Sequence, residues 1–279
     1  MIVDSTPDQV LFLPGVAGAL FTRYRPPRRG ARHNLNILVV PPFAEEMNKS
    51  RRMFTLLAQR LSEIGVGTAI VDLFGTGDSE GDFFEARYDT WHDDVIAVLG
   101  WLREKNDVPL ALLGLRFGAL LAADIVHRGE FPIERSVLWQ PVVNGEQLIT
   151  QFLRLRVAAA ITGSNSSKVT TTALREQLKT EQQLEVGGYT LSADLVAAVD
   201  ALRLESLLPP KSFRVNWVEI ASGALAPGSN KVCESWRSRG ALVDAVTITG
   251  TAFWSAVEIT TAAAFVEHTA SVLSGGFAA

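Results

Sequence analysis

The segment 108–124, VPLALLGLRFGALLAAD, constrains the fold of this chain more than any other stretch. It is apolar up to Gly114, reaches a second glycine at Gly118, and continues with alanine and leucine. A short apolar run, a glycine-bounded turn and a helix-favouring segment predict a buried strand, a sharp turn and a helix. Arg116 lies at the centre of the turn. Because a guanidinium is permanently protonated in proteins, this side chain cannot attack a carbonyl as a hydroxyl group can.

Strand and helix patterns alternate along most of the chain. Short apolar runs predict strands, and apolar residues at three- and four-residue spacing predict helices. An antiparallel strand pair is expected within 9–26, at the sheet edge. Further strands are predicted at 35–40, 66–71, from Val108, 135–140, 213–220 and 242–248, and helices at 49–64, 91–102 and about 254–273. This alternation predicts an α/β fold with a mainly parallel central sheet and helices on both faces.

The strand signal disappears between Val142 and Pro210. Helical patterns near 146–160, 172–184 and 192–204 replace it. We therefore predict a core formed by 1–141 and 211–279, with 142–210 inserted as a helical cap or lid. With 279 residues, one such domain can bury a sizeable core.

Composition argues against several classes of protein. A formal net charge of −4 and a pI near 5.7 do not fit nucleic-acid binding. The single cysteine, Cys233, cannot form an intramolecular disulfide, which favours a reducing compartment. No leader-like segment opens the chain, and no apolar run approaches the roughly 20 residues of a membrane span. We expect a cytoplasmic protein with no transmembrane segment, metal or cofactor.

A second motif is the loop 72–81, DLFGTGDSEG, after the strand that ends at Val71. It resembles the D-x-x-G-x-G-x-S-x-G loop of α/β-hydrolases, in which glycines permit a tight loop beside the site. The turn around Arg116 resembles the G-x-S-x-G nucleophile elbow of the same superfamily, with arginine in the place of serine. Together the two motifs identify the chain as a member of the α/β-hydrolase superfamily and imply the α/β-hydrolase fold.

A narrower resemblance rests on three stretches. The segment 41–52 (PPFAEEMNKSRR), the Gly-Leu-Arg-x-Gly elbow, and Phe253 and Trp254 followed by Glu258 resemble the second hydrolase associated with the exosortase A system. This resemblance implies a bacterial cytoplasmic protein that serves exopolysaccharide production or protein sorting. The word hydrolase would then describe the ancestry of the fold.

The catalytic triad of the superfamily is not found at the expected positions. The loop after the last strand, 249–254, carries no histidine, and the loop after the penultimate strand, 221–230, carries no carboxylate. His268 lies too far along the final helix, and His92 is expected on a helix surface. Ser79 is expected to hydrogen-bond its own turn. The chain is therefore predicted to be a pseudoenzyme with respect to serine chemistry.

Charged and aromatic side chains are expected to replace the triad and to face one crevice. Arg116 would lie at a helix N-terminus, where free amides and the helix dipole favour an anion. It would either grip a carboxylate or phosphate, or pair with a glutamate and fill the site. The candidates for catalysis are Arg116, Glu45, Glu46 and Glu258. The candidates for ligand binding are Arg116, Phe43, Ala44, Asn48, Arg51, Phe117 and Trp254, with the backbone amides near Phe43 or Ala44 and at Phe117 as hydrogen-bond donors.

Three alternative functions are compatible with these candidate residues. The first, which we favour, is binding of an acyl, glycosyl or anionic metabolite without serine-triad hydrolysis. The second is a non-triad hydrolase that acts on an ester or lactone, with Glu45 or Glu46 as acid or base and Arg116 as an electrostatic clamp. The third is an interaction protein, either a homodimer or the partner of a sibling hydrolase, which a filled pocket and a broad exposed apolar patch would favour.

Overall fold

An eight-stranded sheet forms the centre of the molecule in the computed structural model, which describes residues 7–162 and 169–274. The strands in chain order are β1 (Gln9–Pro14), β2 (Ala19–Arg25), β3 (Leu35–Val40), β4 (Val66–Val71), β5 (Leu110–Leu115), β6 (Arg135–Trp139), β7 (Gln183–Val186), β8 (Tyr189–Ser192), β9 (Arg214–Ile220) and β10 (Leu242–Ile248). The sheet order is β1-β2-β4-β3-β5-β6-β9-β10. Only the β1–β2 and β2–β4 pairs in this sheet are antiparallel, which confirms the mainly parallel sheet with an antiparallel edge.

Helices cover both faces of the sheet. They are α1 (Glu45–Glu63), α2 (Tyr88–Lys105), α3 (Phe117–Arg128), α4 (Gly145–Thr162), α5 (Thr171–Glu181), α6 (Ala193–Ala201), α7 (Pro227–Ser238) and α8 (Ala263–Ser274). Helices α1 and α8 pack on one face, and α2, α3 and α7 pack on the other. The predicted α/β-hydrolase arrangement is therefore confirmed in its sheet and its two helical layers.

Strand β3 shows why the central strands are mainly apolar. Ile37 and Val39 pack with the apolar residues of α1 and α8, whereas Leu38 and Val40 pack in the cluster of α2 and α3. Successive side chains of a strand point to opposite faces, so a strand with helices on both sides is mainly apolar. The one polar residue of β3, Asn36, is buried and accepts a hydrogen bond from the hydroxyl of Tyr24 at 3.3 Å. The mainly apolar pattern made these strands predictable.

The segment between β6 and β9 contains a β-hairpin that the sequence did not predict. Strands β7 and β8 pair antiparallel across Gly187 and Gly188, whose φ angles are 58° and 84°. Two consecutive positive φ angles suit a type I′ turn, and glycine adopts them without steric cost. The prediction of helix at 182–184 is therefore wrong, because α5 ends at Glu181. Positions 1–6, 163–168 and 275–279 of the predicted core and cap units lie outside the described residues.

The last helix begins later than predicted. Helix α8 starts at Ala263, and the residues from Trp254 to Ala262 form a loop. Phe253 draws this loop onto the sheet, since its ring centroid lies 6.2 Å from that of Trp139. β-Branched residues at 257, 259, 260 and 261 also lower the helical propensity of the loop.

Within residues 7–162 and 169–274, no helix combines the length and the apolar character that a bilayer span requires.

Candidate functional site

The turn between β5 and α3 holds Arg116 in a strained backbone conformation. Its φ and ψ angles are 57° and −113°. A positive φ is uncommon for a residue with a side chain, and such strain is found mainly where a site requires it. The amide of Arg116 donates to the carbonyl of Trp139 at 3.0 Å, which ties the turn to β6. The chain therefore presents Arg116 as a nucleophile elbow presents its serine.

The guanidinium of Arg116 has partners from three parts of the chain. Its Nε donates to the two carboxylate oxygens of Glu46, at 3.2 and 3.4 Å. Its Nη2 donates to Oε1 of Gln151 at 3.3 Å, and its Cζ lies 5.8 Å from the ring centroid of Trp254. The side chain is 17% exposed, so the charge is partly desolvated and paired with a carboxylate.

A cavity of about 190 Å³ lies beside this guanidinium. Its walls come from α1, the elbow, α4 and the loop before α8. The apolar lining consists of Phe43, Leu148, Phe152, Leu155 and Trp254, and the polar lining consists of Glu45, Glu46, Lys49, Arg116, Gln151 and Ser255. The cavity is therefore amphipathic, with its charged groups on α1 and the elbow.

Burial and charge act in opposite directions on Glu46. Burial raises the pKa of its carboxyl group, and the neighbouring Arg116 and Lys49 lower it by less. Removal of a carboxylate from water disfavours its ionised form unless an opposite charge compensates. Arg116 therefore favours the ionised form of Glu46, whereas burial favours the neutral form.

Phe43 closes the inner side of the cavity. Its ring makes edge contacts with Phe83, Trp91, Phe117 and Phe152, at centroid distances of 5.7, 6.2, 5.7 and 5.2 Å. Such contacts add to the free energy of simple burial. The aromatic cluster therefore gives the cavity a rigid, apolar floor.

The structure brings some of the predicted site residues together and separates others. Arg116, Glu45, Glu46, Phe43 and Trp254 line one cavity. Ala44 and Phe117 are buried and are absent from its lining. The convergence of their amides and that of Phe43 on one oxygen stays a prediction.

Arg51, Glu258 and Asn48 do not line this cavity. Arg51 pairs with Asp72 at 2.7 Å and lines a separate cavity of about 250 Å³. It lies five residues after Glu46, which corresponds to about 140° around the helix. Glu258 is exposed in the loop before α8. The prediction that Arg51 and Glu258 share the crevice of Arg116 is therefore wrong.

Asn48 lies at the rim of the site and connects two parts of the chain. Its Nδ2 donates to Glu45 Oε2 and to the hydroxyl of Tyr189, both at 3.2 Å. Tyr189 belongs to β8, and its hydroxyl also donates to Glu45 at 3.3 Å. These bonds attach the hairpin to α1.

Helix α4 supplies site residues that sequence reasoning missed. Leu148, Gln151, Phe152 and Leu155 all line the cavity, and Gln151 binds Arg116. They occupy positions i, i+3, i+4 and i+7, which form one face of a helix. The spacing was visible in the sequence, but the surface that this face would meet was not.

The described residues provide no imidazole for the cavity. None of its lining residues is histidine. His92 is 2% exposed, and its Nδ1 and Nε2 lie 3.3 Å from Asp93 and 3.7 Å from Glu130. The expectation of a surface position for His92 is wrong, because residue 92 lies four positions after Tyr88 and three before Val95, on the buried face of α2.

Glu219, near the end of the penultimate strand β9, has a structural role. Glu219 is 2% exposed and accepts hydrogen bonds from Trp217 Nε1 at 2.8 Å and from the amide of Ala226 at 3.3 Å. These bonds hold the loop after β9. Glu219 is also absent from the lining of the Arg116 cavity.

Ser79 binds its own loop, as predicted. Its hydroxyl donates to the carbonyl of Asp72 at 2.5 Å and accepts from the amide of Phe21 at 2.8 Å. We expect Ser79→Ala to lower the free energy of unfolding by about 1 kcal/mol, because two backbone groups lose their partner. Urea denaturation measures this change. Ser238→Ala, at the exposed end of α7, is the control, and equal stability of the two variants would contradict the expectation.

The fold and the elbow together are those of the α/β-hydrolase superfamily, with Arg116 at the position of the elbow residue. The family model described as serine aminopeptidase, S33, matches residues 36–203, and the chain belongs to this family. No curated protein sequence matches the chain.

Solved structures with low sequence identity share the fold. Est1E from Butyrivibrio proteoclasticus, with ferulic acid bound, is 16% identical with a TM-score of 0.68, over 96% of this chain and 100% of that one. XC6422 from Xanthomonas campestris, described as a serine hydrolase without a lid, is 16% identical with a TM-score of 0.58, over 97% and 94%. Mouse α/β hydrolase domain-containing protein 10 is 13% identical with a TM-score of 0.61, over 96% and 97%.

Proposed function

We propose that this chain binds a small acyl, glycosyl or anionic metabolite in the cavity beside Arg116 and does not hydrolyse it through a serine triad. The observation that carries the proposal is the retained elbow strain at a residue that cannot be a nucleophile. Arg116 has a φ angle of 57°, and its guanidinium lines the cavity. Strain of this kind is usually kept where a side chain must be held at a site.

The chemistry of the cavity supports ligand binding. Arginine donates through a planar array of N–H groups that matches a carboxylate or phosphate, and here it stands at the N-terminus of α3. The aromatic floor and the Leu148 and Leu155 side chains suit an apolar body. A cavity near 150 Å³ is large enough for benzene, so 190 Å³ suits an aryl group or a short acyl chain.

The wider biological setting follows from the resemblance. We place the protein in a bacterial exosortase and exopolysaccharide system, in the cytoplasm, with 142–210 as a cap over the core. The contacts of Tyr189 with Glu45 and Asn48 support the cap, because they join β8 to the helix that lines the cavity.

A non-triad hydrolase is the second candidate, and the raised pKa of Glu46 favours it. A carboxyl group with a pKa above its usual range can serve as a general acid. Against this role, both oxygens of Glu46 are bonded to Arg116, and Glu45 is bonded to Asn48 and Tyr189.

Arg116→Gln tests the proposal, with the exposed Arg239→Gln as its matched control. We expect benzoate or hexanoate to raise the melting temperature of the wild type and of the control, but not that of Arg116→Gln. A ligand at ten times its Kd stabilises the folded state by about 1.4 kcal/mol. Scanning fluorimetry measures the shift. We also expect no adduct with a fluorophosphonate probe and no turnover of p-nitrophenyl esters.

Other results would refute ligand binding without hydrolysis. Ester hydrolysis that Arg116→Gln abolishes would favour the non-triad hydrolase. A fluorophosphonate adduct would reveal a nucleophilic serine. An absence of any ligand shift, together with a concentration-dependent dimer in sedimentation, would favour the interaction protein. Conversion of Arg116 to serine should not create activity, because no histidine lines the cavity among the described residues.

A further inference from the structure

We infer that the ligand is a small monocarboxylate with an aryl or short acyl body, that its carboxylate replaces Glu46 on Arg116, and that Glu46 takes up one proton as it is displaced. The inference rests on the proposed binding function, and it specifies the ligand class and the exchange of carboxylates. Glu46 is then a built-in competitor of the ligand.

The ion pair with Glu46 uses only Nε of Arg116 and leaves the two Nη nitrogens available to another carboxylate. Glu46 uses only Nε, through two contacts of 3.2 and 3.4 Å. A paired carboxylate that meets two guanidinium nitrogens normally makes bonds of about 2.7–2.9 Å. Nη2 is bonded to the neutral amide of Gln151 at 3.3 Å, and Nη1 has no acceptor among the described residues. A carboxylate that enters from the cavity can therefore make a stronger, bidentate contact.

The charges around Glu46 explain why a proton must accompany the ligand. Lys49 and Glu45 come from α1 and Arg116 from the elbow, whereas α4 contributes the uncharged Gln151 and the loop before α8 contributes the uncharged Ser255. Two cations thus face two carboxylates. A third carboxylate would leave a net negative charge in a partly desolvated cavity, and protonation of Glu46 removes it.

The balance of the exchange is simple. The ligand carboxylate and one proton enter, the Arg116–Glu46 ion pair breaks, and an Arg116–ligand ion pair and a neutral Glu46 carboxyl remain. Burial already favours the neutral form of Glu46, so loss of the guanidinium raises its pKa further. Linkage then requires that affinity fall as pH rises, by up to about tenfold per pH unit.

The apolar part of the cavity selects the body of the ligand. Phe43, Phe152 and Trp254 provide aromatic surfaces, and Arg116 lies at the polar end. Benzoate combines a flat apolar ring with a carboxylate and is fully ionised between pH 6 and 8. Benzamide has nearly the same shape without the charge, so it serves as the matched ligand control.

Isothermal titration calorimetry of benzoate at pH 6, 7 and 8 tests the inference. We expect wild-type affinity to fall by up to about tenfold per pH unit, with uptake of about one proton when buffers of different ionisation enthalpy are compared. Glu46→Gln should bind benzoate independently of pH and more tightly than the wild type at pH 8. Glu63→Gln, an exposed change on the same helix, should behave as the wild type. Benzamide should bind weakly and without proton uptake.

The possible failures are distinguishable. Binding of benzoate that needs Arg116 but is independent of pH would mean that the ligand binds beside Glu46, which overturns the exchange and leaves the proposed function intact. Binding of benzoate and benzamide with equal affinity would overturn the carboxylate class. No binding of either ligand to the wild type or to Glu46→Gln, with circular dichroism showing both to be folded, would overturn the inference and the proposed function together.

Discussion

Replacement of Gly114 or Gly118 by alanine is expected to lower the free energy of unfolding by about 3 kcal/mol. A Cβ atom on Gly114 would lie 2.3 Å from the carbonyl oxygen of Gly118 and 2.4 Å from the amide nitrogen of Ala119. A Cβ atom on Gly118 would lie 2.2 Å from the carbonyl oxygen of Val40. All three atoms belong to the backbone, so strand and helix would have to separate.

Gly100→Ala is the matched control for these variants. Gly100 lies within α2, and a Cβ atom there would meet nothing within 4 Å beyond its chain neighbours and the adjacent backbone of its own helix. We expect this change to stabilise the protein by about 0.5–1 kcal/mol, because alanine favours the helix. Urea denaturation at one pH measures all three variants. Stability of Gly114→Ala within 1 kcal/mol of the wild type would show that the elbow does not pack as closely as described.

Asp94→Asn is expected to stabilise the protein by about 2 kcal/mol at pH 8. Asp94 is fully buried, its Oδ2 accepts from the amide of Phe74 at 2.8 Å, and its Oδ1 has no donor among the described residues. Burial raises the pKa of this carboxyl group to about 6. A raised pKa in the folded state stabilises the protein below the unfolded value, near pH 4, and this stability is lost as pH rises through about 6.

The gain from Asp94→Asn should therefore depend on pH in a defined way. It should be largest above pH 7 and shrink between pH 6 and 4, because the wild-type carboxyl group becomes neutral there. Asp107→Asn, an exposed change in the loop after α2, should show no such dependence. Thermal unfolding of the three proteins from pH 4 to 8 measures the effect. A constant difference between Asp94→Asn and the wild type would contradict the account.

The elbow and the central strands could be predicted because their signals are local. Gly114 and Gly118 mark the close approach of two backbones, and β3 is apolar at every position except Asn36 because both faces are covered. The place of Arg116 at the elbow could be predicted from the same pattern, because it required only the order of strand, turn and helix.

The partners of Arg116 could not be predicted because they depend on how separate helices face each other. Glu46 and Arg51 are both charged residues of α1, but they lie about 140° apart around the helix, and only Glu46 faces Arg116. Gln151 reaches the same guanidinium from α4, whose placement depends on the packing of the whole segment between β6 and β9. The β7–β8 hairpin was missed because its strands are short and the preceding helical pattern runs into them.

A crystal structure with benzoate bound at about pH 6 tests most directly the claim that Arg116 has replaced a nucleophile with a ligand-binding cation. We predict the benzoate carboxylate within hydrogen-bond distance of two guanidinium nitrogens of Arg116, the Glu46 carboxyl group displaced from Nε, and no covalent bond to the protein. A guanidinium turned away from the cavity, with a serine or cysteine hydrogen-bonded to an imidazole at its mouth, would contradict the claim.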